Sequence, residues 1–174
     1  MLYLQQLLKL YAGNIIPDIL NKYLVIDADT CFLKPVHFLT NDGKCIYTGG
    51  TEYHRPYFEH MSRLHPSLKK SLQLSGIAHH MLFDKEIVNK LFIMIEDYHN
   101  KTPFWKIFLD QIDKTNYGGS GASEYELYLT YMRLYHPQKI IIRQLRWINS
   151  NNNYDLITNN QNLDFIGMHW YLRN

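Results

Sequence analysis

An α/β fold is predicted by three features of this sequence. A helical apolar stripe opens the chain, a short β-rich run follows and ends in carboxylates, and capped helices then alternate with further extended runs. With 174 residues, 46% of them hydrophobic and 20% charged, the chain supports one domain over residues 1–174 and falls short of two.

The elements are predicted in order. Leu4, Leu7, Leu8 and Tyr11 recur at helical spacing, interrupted by Gln5, Gln6 and Lys9. This reads as an amphipathic helix, since a signal peptide or a membrane span needs a longer continuous apolar run. Tyr23–Asp27 (YLVID) reads as a buried strand that delivers a loop. Asn41-Asp42-Gly43 is a turn, and Cys45–Gly50 is a second strand. Pro56 to about Leu74 is predicted helical in two short pieces, followed by the apolar run SGIAHHMLF.

Asp84 is placed to cap a helix whose inner face would be Ile87, Leu91, Met94, Ile95 and Tyr98. Thr102-Pro103 has the order of cap, then proline at the first helical position, with Phe104, Phe108 and Ile112 inside. After the Gly118–Gly121 loop, Ser123 and Glu126 have capping-box spacing, for a helix carrying Leu127, Tyr131 and Leu134. Lys139–Arg143 reads as a strand and the Asn-rich stretch at about 149–162 as a surface loop. The terminal DFIGMHWYLRN is apolar enough to dock on the core.

A net charge of +2, with Lys69-Lys70 the longest basic run, gives no nucleic-acid footprint. Cys31 and Cys45 form no CxxC pair or disulfide framework, which suits reduced thiols and a cytoplasmic location. Trp105, Trp147 and Trp170 have faces that stack on sugars, although packing is the commoner use of each.

The sharpest chemical signal is Asp27-Ala28-Asp29. Two carboxylates flanking one small residue at the carboxyl end of a strand can face a common ligand. Such oxygen donors suit Mg²⁺ or Mn²⁺, which prefer carboxylates together with phosphate oxygens.

The run from QQLLKLYA to YLVIDADTCFLKPV resembles the centre of GT-A glycosyltransferases, where a helix precedes the strand bearing a DxD motif. SGIAHHMLF, SEYELYLTYM and the late histidine of FIGMHW, in that order, resemble a family of predicted GT-A sugar transferases. The resemblance implies a GT-A-like three-layer sandwich. It would be incomplete, lacking the N-terminal βαβ nucleotide-binding unit, because only about 22 residues precede YLVID and they contain no glycine-rich turn. The sequence would then be a fragment, a shortened gene product, or one half of a site that a partner chain or second copy completes.

The resemblance also implies roles. Asp27 and Asp29 would sit at the metal and the nucleotide-sugar donor, with Asp29 the direct ligand, and His169 would reach the same Mn²⁺ or Mg²⁺. The metal would act as a Lewis acid on the departing diphosphate. In an inverting reaction Glu124 would take the proton of the acceptor hydroxyl, with Glu126 in reserve because it also serves the capping box. His79 or His80 would contact substrate; adjacent strand residues face opposite ways, so at most one enters the site.

Two other classes compete. In a haloacid dehalogenase-type phosphatase Asp27 would be the nucleophile and Asp29 the acid/base. There Cys31 occupies the position expected for Thr, and Glu96-Asp97, the later acidic pair, falls on a predicted helix. The second class is a transferase remnant that binds a partner without turnover.

Overall fold

The computed structural model describes residues 2–70, 74–150 and 162–168. Helix α1 (Leu2–Ile15) leads into β1 (Lys22–Ile26), β2 (Thr30–Phe32) and β3 (Cys45–Thr48), then α2 (Arg55–Leu64). Strand β4 (His80–Asp84) runs directly into α3 (Lys85–Tyr98), followed by α4 (Phe104–Asp110) and α5 (Glu124–Tyr135). Strands β5 (Ile140–Arg143), β6 (Trp147–Asn149) and β7 (Phe165–Gly167) complete a mixed α/β architecture. The strands form three small sheets among the described residues: β1-β4 antiparallel, β3-β5 parallel, and β2-β7-β6 with β7 central.

The expected buried strand turns out to be two-faced. Tyr23 is buried, while Leu24 and Ile26 of β1 are exposed. Its partner β4 is buried at all five positions. The run that carries the two histidines therefore supplies the interior strand, and β1 lies along one side of it. Apolarity alone ranks the two runs equally, and only the pairing tells them apart.

Helix α1 is also turned from its expected face. It buries Gln6, Leu7, Leu10 and Gly13, and leaves Leu4 and Leu8 exposed. Gly13 sets that orientation: a Cβ there would come within 2.8 Å of the Tyr23 ring. Helix and strand thus cross at a distance only glycine permits.

Asp84 caps α3 as its position predicts, accepting from the Glu86 and Ile87 amides at 3.1 and 3.3 Å. The inner stripe is Ile87, Val88, Leu91, Phe92 and Ile95; Tyr98 is exposed. The stripe rotates toward Phe92 because Phe104 of α4 stacks on it at 4.1 Å and Tyr11 of α1 lies 4.7 Å away. Such pairs contribute about 0.5–1.5 kcal/mol beyond their buried area.

Helix α4 begins at Phe104, and Pro103 occupies its cap position without a side-chain cap. The Phe104 amide donates instead to the Glu96 carboxylate of α3, 2.8 Å away. This corrects the expected Thr102-Pro103 start, while Phe104, Phe108 and Ile112 are buried as expected. The first of the two short helical pieces is α2; residues 65–70 are turn and coil, and residues 71–73 lie outside the described residues.

Helix α5 is the most enclosed, with nine residues from Glu124 to Met132 buried, while Leu134 is exposed. Among the described residues no helix is long and apolar enough to cross a membrane.

Candidate active site

The Asp27-Ala28-Asp29 triplet forms the turn between β1 and β2 and is fixed by its backbone. The Asp27 amide donates to the His79 carbonyl at 2.9 Å, and the Thr30 amide closes the turn onto the Asp27 carbonyl at 2.9 Å. The Met168 amide donates to the Asp29 carbonyl at 2.7 Å, tying the turn to the end of β7. Both carboxylates are thereby aimed from a constrained turn, beside the one residue that precedes β4.

That residue is His79. The register pairs Ile26 with His80, which sets His79 across from Asp27. Ligand atoms of Asp27, Asp29 and His79 all lie within 4.8 Å of one another, and His79 Nδ1 is 3.7 Å from Asp27 Oδ2. The imidazole meets the Trp147 ring edge-on at 4.8 Å. Gly167 makes room for it: a Cβ there would lie 3.0 Å from His79 Nε2 and 2.8 Å from Asn149 Oδ1.

His80 faces the other way. It is buried among Phe32, Phe38 and Phe165, with Nε2 2.9 Å from Thr48 Oγ1. Burial lowers its pKa to about 4, so it is a neutral core histidine. The adjacent pair is thus divided, His79 to the cleft and His80 to the core. Neither His169 nor Trp170 belongs to the described residues, and most of the Asn-rich stretch, 151–161, lies outside them as well.

The opposite wall holds an ion-pair network that the motifs did not foretell. Lys9 Nζ donates to Asp27 Oδ1 at 2.5 Å and to Glu124 Oε1 at 2.6 Å, and sits 4.3 Å over the Tyr125 ring. Tyr125 also donates to Asp27 Oδ1, at 2.9 Å. Burial opposes the Lys9 charge, but Glu124 and Asp27 outweigh it and hold its pKa above the usual lysine value. Burial likewise works to raise Asp27, yet the hydrogen bond with His79 and the Lys9 charge leave it below the usual carboxylate range. For Glu124 burial wins: its pKa is raised despite Lys9.

Glu126 is separate from this network. Its carboxylate accepts from Ser75 Oγ at 2.6 Å, the Gly76 amide at 2.5 Å and Thr130 Oγ1 at 3.2 Å. Ser123 does cap α5, accepting from the Glu126 amide at 3.2 Å. The Glu126 side chain, however, pins the Ser75-Gly76 loop instead of closing a capping box or lining the cleft.

These groups share one cleft of about 950 Å³, bounded by the Asp27–Asp29 turn, His79, Glu124, α1, Tyr57 and Gly118–Ser120. The donor set of two carboxylates and one imidazole fits Mn²⁺ well and accommodates Mg²⁺, which favours oxygen. Asp27 keeps Oδ2 toward that set while Lys9 and Tyr125 hold Oδ1.

The signal for Lys9 was present in α1. Tyr3, Gln6 and Lys9, at spacing of three, form a polar stripe that faces inward onto the cleft. A family of unknown function (DUF6492) matches residues 2–161. No curated protein matches the chain.

Proposed function

The chain belongs to the DUF6492 family, and we propose that it is a metal-dependent glycosyltransferase with a GT-A-like architecture, moving a sugar from a nucleotide-sugar donor to an acceptor hydroxyl. The observation that carries this reading is the meeting of Asp27, Asp29 and His79 in a cleft whose other wall presents the buried, Lys9-paired Glu124. The order of the GT-A-like motifs in the sequence adds support.

Asp27, Asp29 and His79 would hold Mn²⁺ or Mg²⁺, which supplies Lewis-acid stabilisation to a diphosphate leaving group when bound. Tyr125 and Lys9 fix the Asp27 rotamer for that task. Glu124 accepts the proton of the acceptor hydroxyl, and its raised pKa makes it a stronger base than an exposed carboxylate. Lys9 partly offsets the effect of burial on this carboxylate and orients it within the wall.

The phosphatase reading draws less support. Glu96 is engaged at the start of α4 and Asp97 pairs with Lys101, so this acidic pair serves α3 and α4.

Thermal unfolding with Mn²⁺ and a panel of sugar nucleotides tests the proposal. A donor at 100 times its Kd stabilises the fold by about 2.7 kcal/mol, about 5–10 °C in a domain of this size. The expected result is a Mn²⁺-dependent shift with one donor that Asp29→Ala abolishes. A shift with Mn²⁺ alone and no donor effect would leave a metal-binding remnant; no shift of either kind would sink both.

A further inference from the structure

Beyond the metal-ligating turn, the same cleft has a second built wall. Tyr3 of α1 donates to the carbonyls of Asn116 and, at 2.9 Å, Gly119, and accepts from the Gly121 amide at 3.1 Å. His54 Nε2 lies 2.7 Å from the Ser120 carbonyl. The glycine-rich loop, whose composition suggests a flexible connection, is therefore held at four points. It forms a fixed surface flanked by Tyr3, Tyr57 and Tyr117.

Tyr3 and Lys9 are six residues apart on α1, about 9 Å along the helix axis. Both residues line the cleft, with Gln6 between them on the same helix. With the Tyr3 hydroxyl committed to the loop, this wall offers a ligand its flat aromatic faces, the kind of surface on which the CH face of a pyranose packs.

Charge limits what this wall accepts. The described lining of the cleft has four carboxylates, Asp27, Asp29, Glu52 and Glu124, against one ammonium, Lys9. Two of the carboxylates already engage that ammonium. Even with Glu124 protonated the balance stays negative. A divalent cation at the Asp27 turn would offset the donor's phosphates, whereas Glu52, close to Tyr57 in sequence, shares a described lining whose one cation, Lys9, is held by Asp27 and Glu124.

We propose that the half of the cleft walled by Tyr3, Tyr57, Tyr117 and the 116–121 loop is the acceptor subsite, and that it takes neutral or cationic glycans and rejects anionic ones. The assignment rests on the glycosyltransferase reading for the word acceptor; the glycan site itself does not.

The test is calorimetric titration of the full chain, without metal or donor, using three forms of one backbone. These are chitotetraose, its de-N-acetylated cationic form and its sulfated anionic form. The first two bind, and the sulfated form binds at least about tenfold more weakly. Tyr57→Ala weakens the neutral glycan by about tenfold. Tyr117→Ala, at a residue 55% exposed and outside the core, weakens it without touching the fold. Glu52→Gln narrows the gap between cationic and sulfated forms. Equal or tighter binding of the sulfated form, no effect of either tyrosine substitution, or no binding of any form overturns the proposal. Glycan binding without a donor-dependent thermal shift would retain this site and remove the transferase reading.

Discussion

The ammonium of Lys9 lies 2.6 Å from a carboxylate oxygen of Glu124, across 115 residues of sequence. The same nitrogen holds Asp27, so one cation joins the first helix, the Asp27–Asp29 turn and the start of α5. Burial makes the arrangement costly to disrupt, because Glu124 without Lys9 would be a buried charge lacking its counter-ion.

Lys9→Met should therefore destabilise the fold by about 3–5 kcal/mol. Adding Glu124→Gln should recover part of that loss, since one uncompensated charge disappears. Urea unfolding of the two single variants and the double variant measures the coupling. Strictly additive losses would mean the two side chains do not interact.

The two glutamates of SEYE should separate cleanly. Glu124→Gln is expected to lower turnover by about 10²–10⁴-fold, the usual contribution of a general base, with Mn²⁺ binding retained. Glu126→Ala leaves the Ser75 hydroxyl and the Gly76 amide without their acceptor. Its expected loss is stability, about 1–3 kcal/mol for each buried donor left unsatisfied. Transfer assays alongside denaturation distinguish them, and a Glu126 variant that is stable but inactive would reverse the assignment.

Much of this site was legible in the sequence, and what was not has identifiable causes. Asp84 and Ser123 announce their helices because an N-cap is a local interaction, complete within three residues. The Asp27-Ala28-Asp29 turn was likewise visible, being a property of one strand end. Period-two alternation says that His79 and His80 diverge, but the pairing of Ile26 with His80 is what sends His79 to the cleft. Locally, Lys9 is only an interruption of an apolar stripe. Its partners are 18 and 115 residues away, and no local pattern encodes that distance. The expected inner face of α1 failed for a related reason: Gly13 against Tyr23 sets the helix rotation.

Gly167→Ala probes the support behind His79, the histidine proposed as a metal ligand. The new methyl would press on His79 Nε2 and Asn149 Oδ1, displacing the imidazole. Outer supports of metal ligands typically matter by 10–100-fold, so Mn²⁺ affinity should fall by about tenfold or more. Manganese spin resonance titration reads this directly. Unchanged affinity would remove His79 from the ligand set.

Acid should weaken the fold well above the carboxylate range, through two buried histidines. His60 lies under α4 with Nε2 2.8 Å from the Phe108 carbonyl, and His80 lies among phenylalanines; burial lowers each pKa to about 4. A histidine with a depressed folded-state pKa stays neutral while the unfolded chain takes up a proton below its usual value of 6.5. The unfolded state then binds more protons, so stability is full above pH 6.5 and is lost as pH falls toward 4. By pH 5 the loss is about 2 kcal/mol for each histidine relative to pH 7. Urea unfolding at pH 7 and pH 5 measures the sum, and His60→Gln and His80→Gln should each flatten about half of the slope. Equal stability of the wild type at the two pH values would show that at least one ring is protonated inside the fold.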